Sequence, residues 1–399
     1  MSDSIIIAAA RRTPIGAFLG ALAPVTAPKL GATAARAALA DARLRPEEVQ
    51  EVILGCVLSA GLGQAPARQA ALAAGIPPGV PATTINKMCG SGLKAVMLAA
   101  DQIRTGDIEI ALAGGLESMS NAPHLLPKAR AGLRMGNGEL IDHMLYDGLT
   151  SPFDGQLMGC FAEATARKYG FTRAEQDAFA AESVARALRA LRAGDFAAET
   201  APVSVKGRKG ETVVAEDETP ATCDVSRIPQ LKPAFAPDGT VTAASSSSIS
   251  DGAAAVVVMS GEAASRRGLQ PLARVLGYTS HAQEPECFTT APSGAIRKLL
   301  AKLGWAARDV DLYEINEAFA AVTMAALRDL DLDHARVNVN GGACALGHPI
   351  GATGARILVT LIHALHRRAA GSGSRAPLRG IASLCIGGGE AVALAVETV

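Results

Sequence analysis

The chain has 399 residues, of which 49% are hydrophobic, 19% charged and only 4% aromatic, and its 38 basic side chains are matched by 38 acidic ones. That length requires more than one globular unit, built mainly from Ala, Val, Leu and Ile in close helix-to-sheet contact. The zero balance of charge excludes the broad positive field of a nucleic-acid or anionic-membrane binder, though a local basic patch for a phosphorylated ligand stays compatible with it. The seven cysteines, Cys56, Cys89, Cys160, Cys223, Cys287, Cys344 and Cys385, are scattered and never form C-x-x-C. Neither a disulfide framework nor a zinc knuckle is indicated, so reduced thiols and a cytoplasmic location are expected.

The opening MSDSIIIAAARRTPIG carries no basic stretch ahead of a long apolar segment and predicts a first strand. No apolar run approaches membrane-spanning length, and the final AVALAVETV predicts a last strand without a targeting tripeptide. Between them, apolar runs at residues 4–9, 52–56, 108–113 and 253–259 alternate with Ala-rich helical stretches, the pattern of an α/β protein with helices on both faces of its strands. The second half repeats the first in its order of elements. ARAALADARLRPEEVQEVILG and IRKLLAKLGWAARDVDLYEIN each read as amphipathic helix, acidic connection and strand. NKMCGSGLKAVMLAADQI and NGGACALGHPIGATGARILVTLI each read as a small-residue helix entry, and IALAGGLESMS and IASLCIGGGE each as a strand running into a polar or Gly-rich turn. Two similar packed domains follow. Residues 121–248 interrupt the pattern with Pro, Gly and charge, a helix at about 173–193 and a hairpin-like KGRKGETVVAEDET, and so read as an insertion for substrate recognition or for subunit contact. The expected division is residues 1–120 with 249–270, the insertion at 121–248, and residues 271–399.

Four segments carry chemistry. Cys89, in N-K-M-C-G-S-G-L-K-A, stands at a helix N-terminus, where free N–H groups favour a thiolate; taken alone it also reads as a buried structural cysteine. His348, in A-L-G-H-P-I-G-A-T-G, sits at a rigid turn suited to a general base or to a structural histidine. Cys385 precedes three glycines in S-L-C-I-G-G-G-E, whose N–H groups can form an anion nest. Asn316, in Y-E-I-N-E-A-F-A, reads as a helix cap or as a group that orients water or donates to an oxyanion. The glycines match neither G-x-x-x-x-G-K-[ST] nor G-x-G-x-x-G, which excludes a P-loop ATPase and a Rossmann dehydrogenase.

Taken together and in this order, the segments around Cys89, Asn316, His348 and Cys385 resemble the thiolases, and the resemblance covers essentially the whole chain. I-S-D-G-A-A-A-V-V-V and G-G-L-E-S-M-S resemble structural segments of the same family. The resemblance implies two similar five-stranded α/β/α domains with a loop domain inserted in the first. It implies an acyltransferase that joins two acetyl-CoA molecules into acetoacetyl-CoA and CoA, or reverses that reaction, with Cys89 as nucleophile, His348 as its base and Cys385 as acid/base. Asn316 through a water, together with His348, would hold the enolate oxygen, and the N–H groups of Cys89 and Gly387 the other oxyanion, each donor worth about 3 kcal/mol.

The resemblance further implies acyl-CoA contacts at Ser247, Met158, Ala318 and Phe319, no cofactor or metal beyond the coenzyme A thioesters themselves, and a homo-oligomer, dimer or tetramer. Two departures fall in that region: Ser245 stands where many thiolases carry Asn, and Leu157 where short-chain members often carry His. Residues 219–232 match no phosphate-binding pattern residue by residue. A 3-ketoacyl-CoA thiolase of fatty-acid metabolism with broader range is the alternative reading, and a catalytically silent CoA-binding homologue a distant one. A ketoacyl synthase would require a second histidine in place of Cys385.

Overall fold

The computed structural model describes residues 4–207, 210–372 and 376–399. Its first half supplies strands β1 (Ile5–Arg12), β2 (Glu51–Gly55), β3 (Ala82–Ile85), β4 (Ile110–Ser118) and β5 (Ser250–Ser260). The second supplies β6 (Ala273–Ala282), β7 (Leu312–Ile315), β8 (Arg379–Ile386) and β9 (Glu390–Thr398). They form one sheet in the order β7-β8-β9-β6-β1-β5-β4-β2-β3, with Gly16–Ala17 alongside β5. The halves join where β1 and β6 pair antiparallel, from Ile5↔Val275 to Ile7↔Ala273.

Each half follows the same pairing rule outward from that seam. In the first, β5 lies antiparallel between β1 and β4, and β4, β2 and β3 run parallel. In the second, β6, β9 and β8 repeat the antiparallel steps and β7 is parallel to β8. The fifth strand of the second half is reduced to a single parallel bridge between Tyr313 and Val337. The expected pair of five-stranded units is therefore complete on one side and truncated on the other.

Alternation along the strands divides the core into layers, because successive side chains point to opposite faces. On the first half-sheet, Ile6, Val52, Leu54, Leu112 and Val257 pack under α1 (Ala27–Asp41) and α2 (Pro66–Ala73). Their neighbours Ile5, Ile7, Ile53, Ala111 and Val256 face the opposite way, onto α3 (Ser91–Thr105). The insertion contributes α4 (Met158–Tyr169) and α5 (Arg173–Ala193), the latter opened by a capping box in which Thr172 and Glu175 satisfy each other's backbone N–H groups. On the second half-sheet, Tyr313, Ile315, Ile381 and Ala393 pack under α6 (Ala291–Leu303) and α7 (Ala320–Leu330). Leu312, Leu384, Leu394 and Val396 join the same inner cluster as α3 and the long α8 (Ile350–Ser372). The expected three-layer domains thus share one middle layer, made of α3 and α8, giving five layers in all.

Two glycines let those central helices meet. A Cβ on Gly92 would lie 2.7 Å from the backbone N of Ala355, and one on Gly354 would run into the backbone of Leu93. Small residues at both contacts bring the N-terminal ends of α3 and α8 together, and with them the residues that immediately precede each helix. The insertion leaves the first half after β4 but packs on the second: Ala166 and Phe171 cluster with Ala321 and Ala325 of α7. The hairpin expected in it pairs Val203–Gly207 with Gly210–Val214; residues 208 and 209 lie outside the described residues.

Candidate active site

Cys89 and His348 each stand two residues before a central helix, Cys89 before α3 and His348 before α8. Both line a cavity of about 250 Å³, along with Gly387, Ser247, Met158, Ala318 and Phe319. Every acyl-CoA contact expected from the sequence therefore borders the same space as the expected nucleophile. Much of the remaining wall is apolar and was not foreseen, including Met88, Met119, Leu149, Phe235, Phe288 and Ile350, with the hydroxyls of Ser246 and Ser248 among it. Phe235 meets Phe319 edge to face at 5.9 Å. A second cavity of about 540 Å³ shares Met88, Gly148, Met158 and Gly387 with the first, and is walled by residues 146–155 of the insertion.

The turn that carries His348 is fixed from several sides. Gly347 adopts φ 106°, where a side chain would also strike Ser250 Oγ. His348 N–H donates to Ser248 O at 3.0 Å. The imidazole Nδ1 lies 2.6 Å from Thr353 Oγ1, and that hydroxyl donates to Pro349 O at 2.9 Å. With its own proton committed, the hydroxyl accepts from Nδ1–H, so Nε2 carries the free lone pair. Nε2 is buried without a protein partner. Burial, reinforced by the buried Arg356 guanidinium, pushes the imidazole pKa down to about 3, so the ring is a neutral acceptor across the physiological range.

The Cys89 thiol departs from expectation. Burial pushes its pKa up to about 11, although Gly387 N–H and its own N–H both donate toward the sulfur and draw it down. The expected thiolate is thus outweighed: two N–H groups do not compensate for the water lost around the sulfur. Cys385, in β8, is fully buried in a cluster with Phe161, Phe288, Ala318 and Phe319, behind the cavity wall. Its pKa is raised well above the ordinary thiol value, first by burial and then by the charge that Cys89 would carry, which marks the two thiols as electrostatic neighbours.

Asn316 follows the end of β7 and donates its N–H to Ser383 O at 3.0 Å. The expected capping role does not hold, because α7 begins only at Ala320 with Phe319 at its N-cap. Instead both polar atoms of the amide are buried without a partner, a state native proteins keep for groups that meet water or ligand. Cys344 is a buried core residue whose thiol lies 3.7 Å from Glu317 O.

Two residues near the site escaped the sequence reading. Glu117 is fully buried at the end of β4, where it accepts from Val57 N–H at 3.0 Å, Leu58 N–H at 3.1 Å and Gly351 N–H at 2.9 Å. It ties β2 and the start of α8 to β4, and burial pushes its pKa up to about 7. The available signal was one carboxylate in the otherwise apolar IALAGGLES. Thr353 was visible only as a small residue in a Gly-rich run, and its bond to the histidine gives it its place here.

The family described as "Thiolase, N-terminal domain" matches residues 5–262, and "Thiolase, C-terminal domain" matches residues 269–398. Curated relatives named acetyl-CoA acetyltransferase include one from Chromobacterium violaceum, 51% identical over 98% of this chain and 99% of its own length. Another, from Pseudomonas aeruginosa, is 52% identical over 98% of both chains. Among solved structures, the acetyl-CoA acetyltransferase of Bacillus anthracis superposes with a TM-score of 0.95 at 44% identity, covering 100% of this chain and 99% of that one. A thiolase from Ascaris suum in complex with coenzyme A gives 0.93 at 42% identity, covering 99% and 100%. With both domains matched, and relatives at half identity along nearly the full length, the chain belongs to the thiolase family.

Proposed function

We propose that this chain is an acetyl-CoA C-acetyltransferase, catalysing the reversible condensation of two acetyl-CoA molecules to acetoacetyl-CoA and CoA through an acetyl group on Cys89. The observation that carries this reading is the convergence on Cys89 of two N–H donors, its own and that of Gly387, in a cavity shared with the unpartnered acceptor Nε2 of His348. The names of the curated relatives supply the acetyl-CoA substrate class.

In this reading the proton leaves Cys89 as the sulfur attacks, because free thiol and neutral imidazole are the resting forms. His348 Nε2 takes that proton, and the N–H groups of Cys89 and Gly387 receive the developing oxyanion. Collapse expels CoA thiolate, which takes the proton of Cys385 and departs as CoA. While it holds the acetyl group, Cys89 cannot carry the charge that would oppose ionisation of Cys385. The Cys385 thiolate then withdraws a proton from the methyl carbon of the second acetyl-CoA. Asn316 through a water, and the protonated His348, stabilise the enolate oxygen. Attack of the enolate on the acetyl group releases Cys89, which recovers its proton from His348. Two thioesters are consumed, one ketoacyl thioester and one CoA are formed, and the enzyme is restored.

The three-part division at residues 1–120 with 249–270, 121–248 and 271–399 belongs to this proposal. So do a homo-oligomeric state, with the tetramer preferred, a cytoplasmic location, and independence from metal and cofactor. Exposed apolar side chains at Leu126, Leu133, Met135 and Leu140 in the insertion support an assembly contact. No helix among the described residues is long and apolar enough to cross a membrane. The alternative, a broader 3-ketoacyl-CoA thiolase of fatty-acid metabolism, is favoured by the second cavity, which offers room beyond Met88 and Met158. CoA-dependent loss of 3-ketoacyl-CoA absorbance, compared between acetoacetyl-CoA and longer chains, separates the two. Strong preference for acetoacetyl-CoA is expected; equal or faster turnover of long chains would replace the first reading by the second.

A further inference from the structure

The two donors that converge on Cys89 Sγ belong to different halves of the chain. One lies in the segment ahead of α3 and the other in the turn between β8 and β9. An oxyanion is stabilised only when both donors sit about 2.7–3.1 Å from the same oxygen, so the spacing between the segments matters more than the shape of either. Bonds within each segment fix its own shape but not its distance from the other. Met88, just before the cysteine, has φ 47°, a left-handed conformation that a non-glycine residue rarely adopts. On the other side, Gly388 and Gly389 have φ 95° and 90° in a turn with no side chains to pack.

A direct polar contact joins the two segments. Lys87, two residues before Cys89, forms an ion pair with Glu390, three residues after Gly387 and the first residue of β9. Each partner is anchored to its own half. Lys87 N–H donates to Ser91 Oγ in the first turn of α3 at 2.8 Å, and its carbonyl accepts from Gly90 N–H at 3.0 Å. Glu390 is held by its ladder pairing with Ile386 across the turn. The contact therefore closes a circuit through Cys89, Lys87, Glu390 and Gly387. We propose that Lys87 and Glu390 are positioning residues for the acyl transfer proposed above, an ion pair across the two halves that sets the separation of the two oxyanion donors. The inference rests on that functional reading.

Exposure distinguishes this role from a merely structural one. The two side chains are 27% and 35% exposed, and ion pairs open to solvent contribute little to global stability. A structural role would be nearly silent in activity, whereas a positional one acts on kcat. The test compares the unmodified chain with Lys87→Met, Glu390→Ala and the reversed pair Lys87→Glu with Glu390→Lys, measuring kcat and KM for thiolysis of acetoacetyl-CoA and the thermal midpoint of each. Each single change is expected to lower kcat about tenfold while KM stays within about twofold, the signature of lost transition-state rather than ground-state contact. The thermal midpoint is expected to be nearly unchanged, and the reversed pair to recover to within about threefold of the original. Single variants that keep full kcat, or a reversed pair no better than the singles, would overturn the proposal. If the unmodified chain turns over no acyl-CoA, the functional reading fails and takes the proposal with it; turnover by the unmodified chain with equal rates in all variants removes this proposal alone.

Discussion

The two halves of this thiolase place different chemistry at equivalent backbone positions. In the first, β2 pairs with β4 through Gly55↔Gly115; in the second, β7 pairs with β8 through Ile315↔Ser383. One residue beyond the first member of each pair stands Cys56 in one half and Asn316 in the other. Two residues beyond the second stand Glu117 and Cys385. Ahead of the central helices, at the same offset, stand Cys89 and His348. Where the second half keeps an unpartnered amide and a second thiol, the first uses its counterparts for structure: Glu117 clamps three backbone N–H groups and lies 3.7 Å from the Cys56 thiol. A duplicated scaffold brings six equivalent positions to one place, and side chains rather than backbone decide which become reactive.

That comparison fails if chemistry and structure are not divided in this way, and the largest effects test it first. Cys89→Ala is expected to lower kcat for thiolysis by about 10⁴-fold or more, since no other group can hold the acyl unit. Cys385→Ala should lower carbon–carbon bond formation by a comparable factor yet slow the exchange of acetyl groups between acetyl-CoA and labelled CoA far less. Equal loss of both partial reactions would show that the two thiols do not have separate tasks.

A smaller effect is expected at Thr353→Val, which keeps the shape but removes the acceptor for His348 Nδ1–H. A fall in kcat of about tenfold to a hundredfold with KM little changed would fit loss of tautomer and orientation; an unchanged kcat would mean that the backbone turn alone orients the ring.

The smallest effect on activity is expected at Glu117, whose influence is on stability. Its folded-state pKa of about 7 lies above the ordinary carboxyl value, so the folded chain retains a proton that the unfolded chain releases. The stability this contributes is complete below about pH 4.5 and is lost as pH rises through about 7, by up to about 3 kcal/mol. Relative to Glu117→Gln, which cannot ionise, the unmodified chain should therefore lose stability in urea melts between pH 5 and pH 8. A difference between the two that does not change with pH would mean that the carboxyl does not titrate in that window.

Much of this arrangement could be read from the sequence because it is local or periodic. The apolar runs at residues 4–9, 52–56, 108–113 and 253–259 coincide with β1, β2, β4 and β5, the first starting one residue ahead of its strand, the second reaching one residue past its own and the third starting two residues ahead. The helix expected at about 173–193 is α5, marked by Thr172 and Glu175 at its start. The glycines flanking Cys89 and His348 indicated tight helix entries, and the order of elements indicated duplication. What could not be read depends on partners far away in the chain. Desolvation of the Cys89 thiol outweighs the effect of its helix terminus, and its apolar surroundings come from residues more than fifty positions distant, such as Leu149, Phe319 and Ile350. The same holds for Glu117, bonded to Gly351, and for Lys87, paired with Glu390. Sharing of α3 and α8 by both half-sheets was hidden as well, because an apolar helix face does not say how many sheets cover it.

That shared middle layer separates what was copied from what can stand alone. The half is the unit of inheritance, since its strand order and helix entries recur. It is not the unit of stability. The seam between half-sheets is short, whereas the inner faces of both sheets close on a helix from each half. A half released from its twin would present that entire inner face to water, so after duplication neither copy was free to drift into an independent protein.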